Sequence, residues 1–263
     1  MKPGKIIDYP SRNESFENWF QTPLGRTLLA DQRGFLDRKL AYLIGARQLQ
    51  VSVSHRLPLT NGTDFAQKIM TTPRCSTDIP DGVVVCDADE LPFPGGSMDL
   101  VVLHHTADFS DYPHQVLREA SRVLRGDGTI ALVGFNPVSI WGLRRFISRH
   151  YSGPWGGRFL LRGRMEDWLR LLDFQIELSA TRLFRLPLQR SGRKSSGRVG
   201  ERLSGYGFLP VGAYYCILAK KQVCARIPQR NSWRQNKVMG LSGNGAVGAS
   251  RGCSSQALNH PDD

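Results

Sequence analysis

The chain has 263 residues, of which 40% are apolar and 22% charged. This length allows one domain of ordinary size with additions, and the apolar content suffices for a buried core. No apolar run approaches the roughly 18 residues that a membrane-spanning helix needs. The N-terminal sequence MKPGKIIDYPSRNE lacks the apolar segment of a secretory signal. We therefore predict a cytoplasmic protein with no membrane partner.

The positive charge is concentrated in one part of the chain. The formal net charge is +12, and residues 141–202 hold 14 Lys or Arg against 5 Asp or Glu. Such a region is typical of contact with nucleic acid, an acidic partner or a membrane surface, or of an ordinary solvated surface. The five cysteines form no CxxC pair, which favours free thiols in a reducing compartment. No histidine or cysteine cluster has metal-ligand spacing, so we predict no metal site.

The N-terminal third predicts helices and one strand. Residues 1–17 are polar, and we predict a flexible N-terminus. A helix follows, with Thr22 as N-cap and Pro23 in the first turn. Apolar residues recur at helical spacing through residue 44, which predicts one or two helices packed across a sheet or over a cleft. Residues 48–53 are the candidate first strand.

Residues 83–137 predict the centre of a parallel sheet. Residues 83–86, 100–103 and 129–133 are short apolar runs, typical of strands buried on both faces. A helical pattern beginning near Pro113 lies between the second and third runs, so the connection is a right-handed crossover. Ligands bind beyond the carboxyl ends of such strands. These ends carry residues 87–89, 104–106 and 134–137.

The C-terminal half predicts two more helices and two more strands. In residues 138–150 we expect a helix with Ile140, Leu143 and Ile147 facing inward and its arginines outward. Residues 151–157 form a loop, which we interpret as a flap over a binding pocket. A helix through 165–172 leads to strands at 174–178 and 213–219. Residues 187–208 predict a basic Ser/Gly-rich loop, and residues 222–263 a disordered tail.

Two segments resemble a known family. CDADELPFPGGSMDLVVLHH (86–105) resembles the signature of class I S-adenosylmethionine-dependent methyltransferases, and REASRVLRGDGTIALVGFNP (118–137) is similar to their later helix end and fifth strand. TPLG, LIGARQLQVSV and GFNPVSIWGLRRF narrow the match to a type 11-like bacterial branch. The resemblance covers roughly residues 19–221, and we predict a methyltransferase-like domain over residues 18–221. The resemblance implies a three-layer, Rossmann-like α/β sandwich whose mostly parallel sheet has an antiparallel last strand, in the order 3-(2)-1-4-5-7-6.

The chain departs from this family in its first half. The glycine-rich turn after the first strand is replaced by Ser52 to Pro58, and residues 53–83 are too few for the usual elements. We therefore predict a truncated first half with the second strand reduced or missing. Asp64 is the nearest candidate for the family's ribose-binding carboxylate.

The resemblance also implies a site for S-adenosylmethionine. Asp87 would accept a hydrogen bond from the adenine amine, and the Ala88 N–H would donate to the neighbouring ring nitrogen. His105 is the candidate catalytic base, or alternatively a structural residue. The other predicted contacts are Ser52 and His104 for the cofactor and Asn136 and Trp155 for the substrate.

Two functions fit these observations. The first is an S-adenosylmethionine-dependent methyltransferase of unknown acceptor, because in-line methyl transfer requires positioning more than acid–base groups. The second is a degenerate, inactive methyltransferase fold that acts as a binding or regulatory module. In that case the basic region 141–202 would contact RNA or another polyanion.

Overall fold

The computed structural model describes residues 9–75, 79–147, 152–183 and 212–223. In these ranges one sheet of seven strands is flanked by helices. The strands are β1 (Ile44–Ser52), β2 (Asp64–Thr72), β3 (Val83–Val85), β4 (Met98–His104), β5 (Leu124–Phe135), β6 (Phe174–Arg182) and β7 (Tyr214–Lys221). The helices are α1 (Tyr9–Trp19), α2 (Pro23–Leu40), α3 (Thr106–Phe109), α4 (Pro113–Val123), α5 (Ile140–Ile147) and α6 (Arg162–Leu171), with a 3₁₀ turn at Gly153–Gly156.

The strand order confirms the predicted fold class. The sheet runs β3-β2-β1-β4-β5-β7-β6. Neighbouring strands from β3 to β5 are parallel, whereas β7 pairs antiparallel with both β5 and β6. The chain therefore has the three-layer, Rossmann-like sandwich with an antiparallel last strand.

Each face of the sheet carries its own apolar core. On one face α1 and α2 bury side chains such as Phe16, Leu28 and Leu36. On the other, α4 and α6 bury side chains such as Val116 and Leu169. Full burial of one such side chain is worth roughly 1.5–3 kcal/mol, so both helical layers are firmly held to the sheet.

The first half is shortened differently from the prediction. β2 is complete, with nine residues, so the expectation of a reduced or missing second strand is wrong. The helix between β1 and β2 is absent instead, and residues 53–63 make the crossover as a buried loop. Gln50 holds this loop by accepting from the Leu59 N–H at 2.9 Å and donating to the Leu57 carbonyl at 2.8 Å. Its side chain thus satisfies buried backbone groups that a helix would satisfy internally.

The N-terminus also differs from the prediction. Residues 9–19 form α1, and Phe16 is fully buried, so a flexible terminus over residues 1–17 is wrong from Tyr9 onward. The predicted start of α2 is confirmed, because the Thr22 side chain accepts from the Gly25 N–H at 3.2 Å and Pro23 stands in the first turn.

The orientation predicted for α5 is reversed. Ile140, Leu143 and Ile147 are exposed, whereas Trp141 is the residue buried against the core. The basic loop at 187–208 lies outside the described residues, and so does the tail from residue 224.

Candidate functional site

The carboxyl ends of β1, β3, β4 and β5 lie along one edge of the sheet, and α1 crosses this edge. Glu14 of α1 approaches Arg74, just after β2, at 3.9 Å. Glu17 pairs with Arg56 of the β1–β2 loop at 3.4 Å. At the opposite side the Ser15 hydroxyl accepts a hydrogen bond from the Gly153 N–H at 2.7 Å. α1 therefore covers the edge where the family's cofactor and acceptor would meet.

Beneath α1, a chain of buried polar side chains links three elements. Gln32 of α2 lies between the two histidines, with its Oε1 3.1 Å from His104 Nε2 and its Nε2 2.8 Å from His105 Nε2. His105 Nδ1 lies 2.8 Å from Asp108 Oδ2. Ser52 Oγ lies 3.4 Å from His104 Nδ1, a longer contact. All five side chains are buried, so none of these bonds is replaceable by water without opening the fold.

One assignment of protons satisfies the whole chain of bonds. Gln32 donates to His105 Nε2, so His105 carries its proton on Nδ1 and donates it to Asp108. His104 carries its proton on Nε2 and donates it to Gln32 Oε1, and Ser52 donates to His104 Nδ1. Both histidines are then neutral, and both ring nitrogens of His105 are engaged.

Burial shifts the titration of these groups. Loss of water lowers the pKa of His105 to about 3, and burial together with the neighbouring His105 and Arg33 lowers the pKa of His104 well below its usual value. Burial raises the pKa of Asp108, while the Phe135 N–H, which donates to its Oδ2 at 2.9 Å, acts in the opposite direction. The histidines therefore remain uncharged at neutral pH.

Aromatic rings seal this chain of polar groups from above. Phe16 meets the His105 ring edge-on at 5.5 Å between centroids and stacks on Phe109 at 4.3 Å. Phe20 lies 5.7 Å from the His104 ring, and Phe135 stacks on His105 at 4.0 Å. His105 also has a backbone φ of 54°, the left-handed region that is uncommon for residues with a side chain. Such local strain is kept only where the surroundings hold it firmly.

The end of β3 has a different character. Asp87 is exposed, and within the described residues its carboxylate has no hydrogen-bond or ion-pair partner. Ala88 is buried and packs with Leu91 and other apolar side chains on the second face of the sheet. A carboxylate open to solvent beside a fixed backbone N–H can take a ligand that presents a donor next to an acceptor, such as the edge of an adenine ring.

The other predicted site residues are engaged within the fold. Asn136 Nδ2 donates to the Gly212 carbonyl at 2.9 Å, and its Oδ1 accepts from the Val138 N–H at 3.0 Å. Trp155 is buried 5.7 Å from Trp141, with the Arg144 guanidinium over its ring at 5.0 Å. Both therefore order the turn into α5 and its packing, and their contact with a substrate stays a prediction.

Asp64 lies at the wrong end of its strand. It opens β2 and pairs in register with Ile44, the first residue of β1. The carboxyl end of β2 instead carries Thr72, followed shortly by Arg74. The interpretation of Asp64 as a ribose-binding carboxylate is therefore wrong.

A family model matches the residues that cross this edge of the sheet. The model of the methyltransferase domain matches residues 51–132, from the end of β1 into β5. These residues carry the sequence pattern of a methyltransferase domain, and the sheet has the fold of S-adenosylmethionine-dependent methyltransferases.

Several proteins resemble this chain in sequence or fold. The Escherichia coli (strain K12) protein named "Uncharacterized protein YafS" is 34% identical over 174 residues, which cover 65% of this chain and 66%, just under two thirds, of that protein. A SAM-dependent methyltransferase structure from Thermotoga maritima has a TM-score of 0.56 at 20% identity, over 81% of this chain and 98% of that one. One from Archaeoglobus fulgidus has a TM-score of 0.50 at 19% identity, over 78% and 98% of the two chains.

The family's cofactor fits one part of this edge and not the other. The exposed carboxylate of Asp87 suits the adenine end of S-adenosylmethionine. At the methionine end, Ser52, Val53 and Ser54 are all buried where the family has an open glycine-rich turn. With α1 in place, that half of the cofactor does not fit.

Sequence reasoning missed two residues of this site, Gln32 and Asp108. Gln32 stands between Leu28 and Leu36 on the apolar stripe of α2, and a polar residue on such a stripe indicates a buried partner. Asp108 follows His105 by three residues at the start of a helix, a spacing that brings side chains together.

The described residues contain no cluster suited to a metal ion. Within these ranges no group of three or more His, Cys, Asp or Glu side chains could hold one.

Proposed function

We propose that the protein is an S-adenosylmethionine-dependent methyltransferase whose methyl-transfer end is closed by α1 in the form described here. The observation that carries the proposal is the open Asp87 carboxylate beside Ala88, within the residues that match the methyltransferase domain. When bound, the cofactor supplies an activated methyl group on its sulfonium. Asp87 and the Ala88 N–H would hold the adenine ring.

Activity then requires α1 to leave the edge of the sheet. Each of its two ion pairs, Glu14–Arg74 and Glu17–Arg56, has one exposed partner, and together they stabilise the closed form by about 1 kcal/mol or less. The larger cost is the exposure of Phe16 and Phe20, roughly 1.5–3 kcal/mol for each ring. A penalty of roughly 3–6 kcal/mol for the two rings lowers the apparent affinity for the cofactor by about two to four powers of ten.

The proposal is tested by calorimetric titration of the full chain with S-adenosylmethionine and, separately, S-adenosylhomocysteine. We expect saturable binding that Asp87→Ala weakens by about 1–3 kcal/mol, or roughly 5- to 150-fold. Asp89→Ala is the matched control, since Asp89 lies two residues away on the same loop. Equal affinities for wild type and Asp87→Ala would remove the adenine assignment.

A second candidate is a methyltransferase fold that has lost catalysis and serves as a binding module. The engaged ring nitrogens of His105 and the buried Ser52–Ser54 segment favour it. The role of His105 as a catalytic base stays a prediction that needs this network to open. The two candidates are separated by Phe16→Ala: if neither this variant nor wild type binds millimolar cofactor, the inactive fold is the correct assignment.

A further inference from the structure

Helix α5 turns an apolar face to solvent. Ile140, Leu143, Phe146 and Ile147 are 44%, 57%, 88% and 69% exposed. At about 100° per residue these four positions lie within roughly 120° of arc, so they form one continuous outer stripe. An exposed stripe of this kind on a helix is typical of a contact surface.

The opposite side of α5 fixes the helix to the domain. Trp141 is buried and lies 5.9 Å from Trp19, 5.7 Å from Trp155 and 6.2 Å from Phe135 between ring centroids. The Ser139 hydroxyl accepts from the Gly142 N–H at 3.1 Å at the start of the helix. The apolar stripe is therefore held outward by the packing and does not face the core.

The sequence around this stripe holds six arginines and no acids, and two of these arginines, Arg158 and Arg162, pair with Asp111 and Glu166 outside the segment. The chain has no Asp or Glu between Asp127 and Glu166. Arg144 lies over the Trp155 ring at 5.0 Å, and Arg145 lies over the Phe159 ring at 5.5 Å while donating to the Gly157 carbonyl at 2.6 Å. The arginines of this acid-free segment are Arg144, Arg145, Arg149, Arg158, Arg162 and Arg164.

Three partners from the protein itself could cover the apolar face of α5: residues 184–211, residues 224–263 or a second copy of the chain. Residues 184–211 hold six Lys or Arg against one Glu, and residues 224–263 hold five Lys or Arg against two Asp. A second copy of the chain carries the same net charge of +12. Because these two segments and a second copy are all positively charged, repulsion from the arginines near α5 disfavours each of them. An anionic partner is favoured instead.

The side chains of the stripe decide the kind of anionic partner. Proteins contact bases by hydrogen bonds from polar side chains or by stacking on aromatic rings, and of these four apolar side chains only Phe146 could stack. Aliphatic and aromatic side chains next to an exposed arginine, here Arg144, are typical of a helix that lies in a lipid headgroup region. We propose that the outer face of α5 docks on a membrane surface that contains anionic lipids, with Leu143, Phe146 and Ile147 entering the headgroup layer. The docking does not depend on cofactor binding.

This docking is peripheral. Within the described ranges no helix is long and apolar enough to cross a membrane. The sequence predicted no membrane partner because no apolar run is long enough to span a membrane, and the apolar residues of α5 were expected to face the core. In the structure these residues face outward, where they can contact a lipid surface.

The test is flotation of the full chain with vesicles of phosphatidylcholine alone and with vesicles that also contain about 30% phosphatidylglycerol. We expect binding to the mixed vesicles, with the affinity reduced about tenfold or more in Phe146→Ser. Arg144→Gln is expected to weaken binding several-fold, and moderate salt to weaken it in all variants. Leu171→Ser is the matched control, since Leu171 is an apolar residue on α6 that is also 81% exposed, and it is expected to bind as wild type does.

Three outcomes would overturn the proposal. Equal binding of wild type and Phe146→Ser would mean that the basic segments act by charge alone. Failure to float, combined with salt-dependent binding of a single-stranded RNA, would assign the surface to nucleic acid. Failure to float, combined with a lower unfolding midpoint or a loss of dimer in Phe146→Ser, would mean that the chain itself covers the stripe.

Discussion

The ends of β3 and β4 belong to the same edge of the same sheet, yet their side chains differ in exposure and in hydrogen bonding. After β3, Asp87 is exposed and its carboxylate is open to a ligand. After β4, His104 and His105 are fully buried, and their ring nitrogens bond to other side chains of the protein. The end of β3 can therefore bind a ligand without a rearrangement of the fold, whereas the end of β4 is covered by other side chains of the protein.

The difference comes from the flanking elements and not from the sheet. Both strands pair in the order expected of the family, but only the end of β4 lies under α1. The β1–β2 crossover adds to this closure, because its buried loop replaces an open glycine-rich turn. A sheet fixes where a site can lie, whereas the layers packed on it decide whether that site is open.

The largest effect is expected when the seal itself is removed. Phe16→Ala should lower the free energy of unfolding by about 3–5 kcal/mol, because the ring is fully buried among Phe109, Phe135 and His105. Urea unfolding measures the loss. The control is Tyr112→Ala, an exposed aromatic residue, with an expected loss below about 1 kcal/mol. A Phe16 loss no larger than that of the control would mean that α1 is not docked on the sheet in solution.

The next effect concerns the polar groups beneath the seal. Gln32→Leu should cost about 2–4 kcal/mol, because it leaves the Nε2 atoms of His104 and His105 buried without partners. Gln115→Leu, at an exposed position on α4, makes the same change without breaking a buried bond and should cost less than about 0.5 kcal/mol. Equal stabilities of the two variants by urea unfolding would show that the chain of hydrogen bonds does not form.

A smaller effect is expected from acid. The folded pKa values of His104 and His105 lie below the usual value of 6.5, that of His105 at about 3. The unfolded chain then binds more protons than the folded chain below pH 6.5, so stability is fully present above that pH and is lost as pH falls toward 3. Each histidine contributes a slope of up to about 1.4 kcal/mol per pH unit. Asp108 opposes this slope, because its pKa is raised and its carboxyl group is protonated earlier in the folded state.

The acid effect is measured as the change in unfolding free energy between pH 7 and pH 5 in urea. His105→Gln removes one of the two titrating rings, so we expect a shallower slope whatever the absolute stability of the variant. A slope identical to that of wild type would mean that His105 is solvated and free to act as a base.

These contrasts also explain what the sequence could predict. Apart from β2, the strands and α4 follow from apolar runs and helical spacing, and the structure has them close to where they were expected. β2 was predicted as reduced or missing because its sequence, DFAQKIMTT, buries only Phe65, Ile69 and the two final threonines along nine residues. α1 escaped because few of its residues are apolar, and its burial depends on one face of a polar helix.

The site was harder to predict than the fold, because its contacts join distant parts of the chain. Gln32 precedes its two histidine partners by 72 and 73 residues. Periodicity correctly grouped the apolar residues of α5 on one face, but it could not show whether that face meets the core or solvent. Only the packing of Trp141 decides that orientation.

The smallest effect on folding is expected at the open end of the edge. Asp87→Ala should change the free energy of unfolding by less than about 0.5 kcal/mol, since an exposed carboxylate without a partner among the described residues stabilises nothing locally. The same variant is expected to weaken cofactor binding. Urea unfolding measures whether Asp87 stabilises the fold, and calorimetry measures whether it binds the cofactor. A loss of stability above about 1 kcal/mol would mean that Asp87 stabilises the turn after β3. Asp87 would then be engaged within the fold, as His104 and His105 are, and the two strand ends would not differ in this respect.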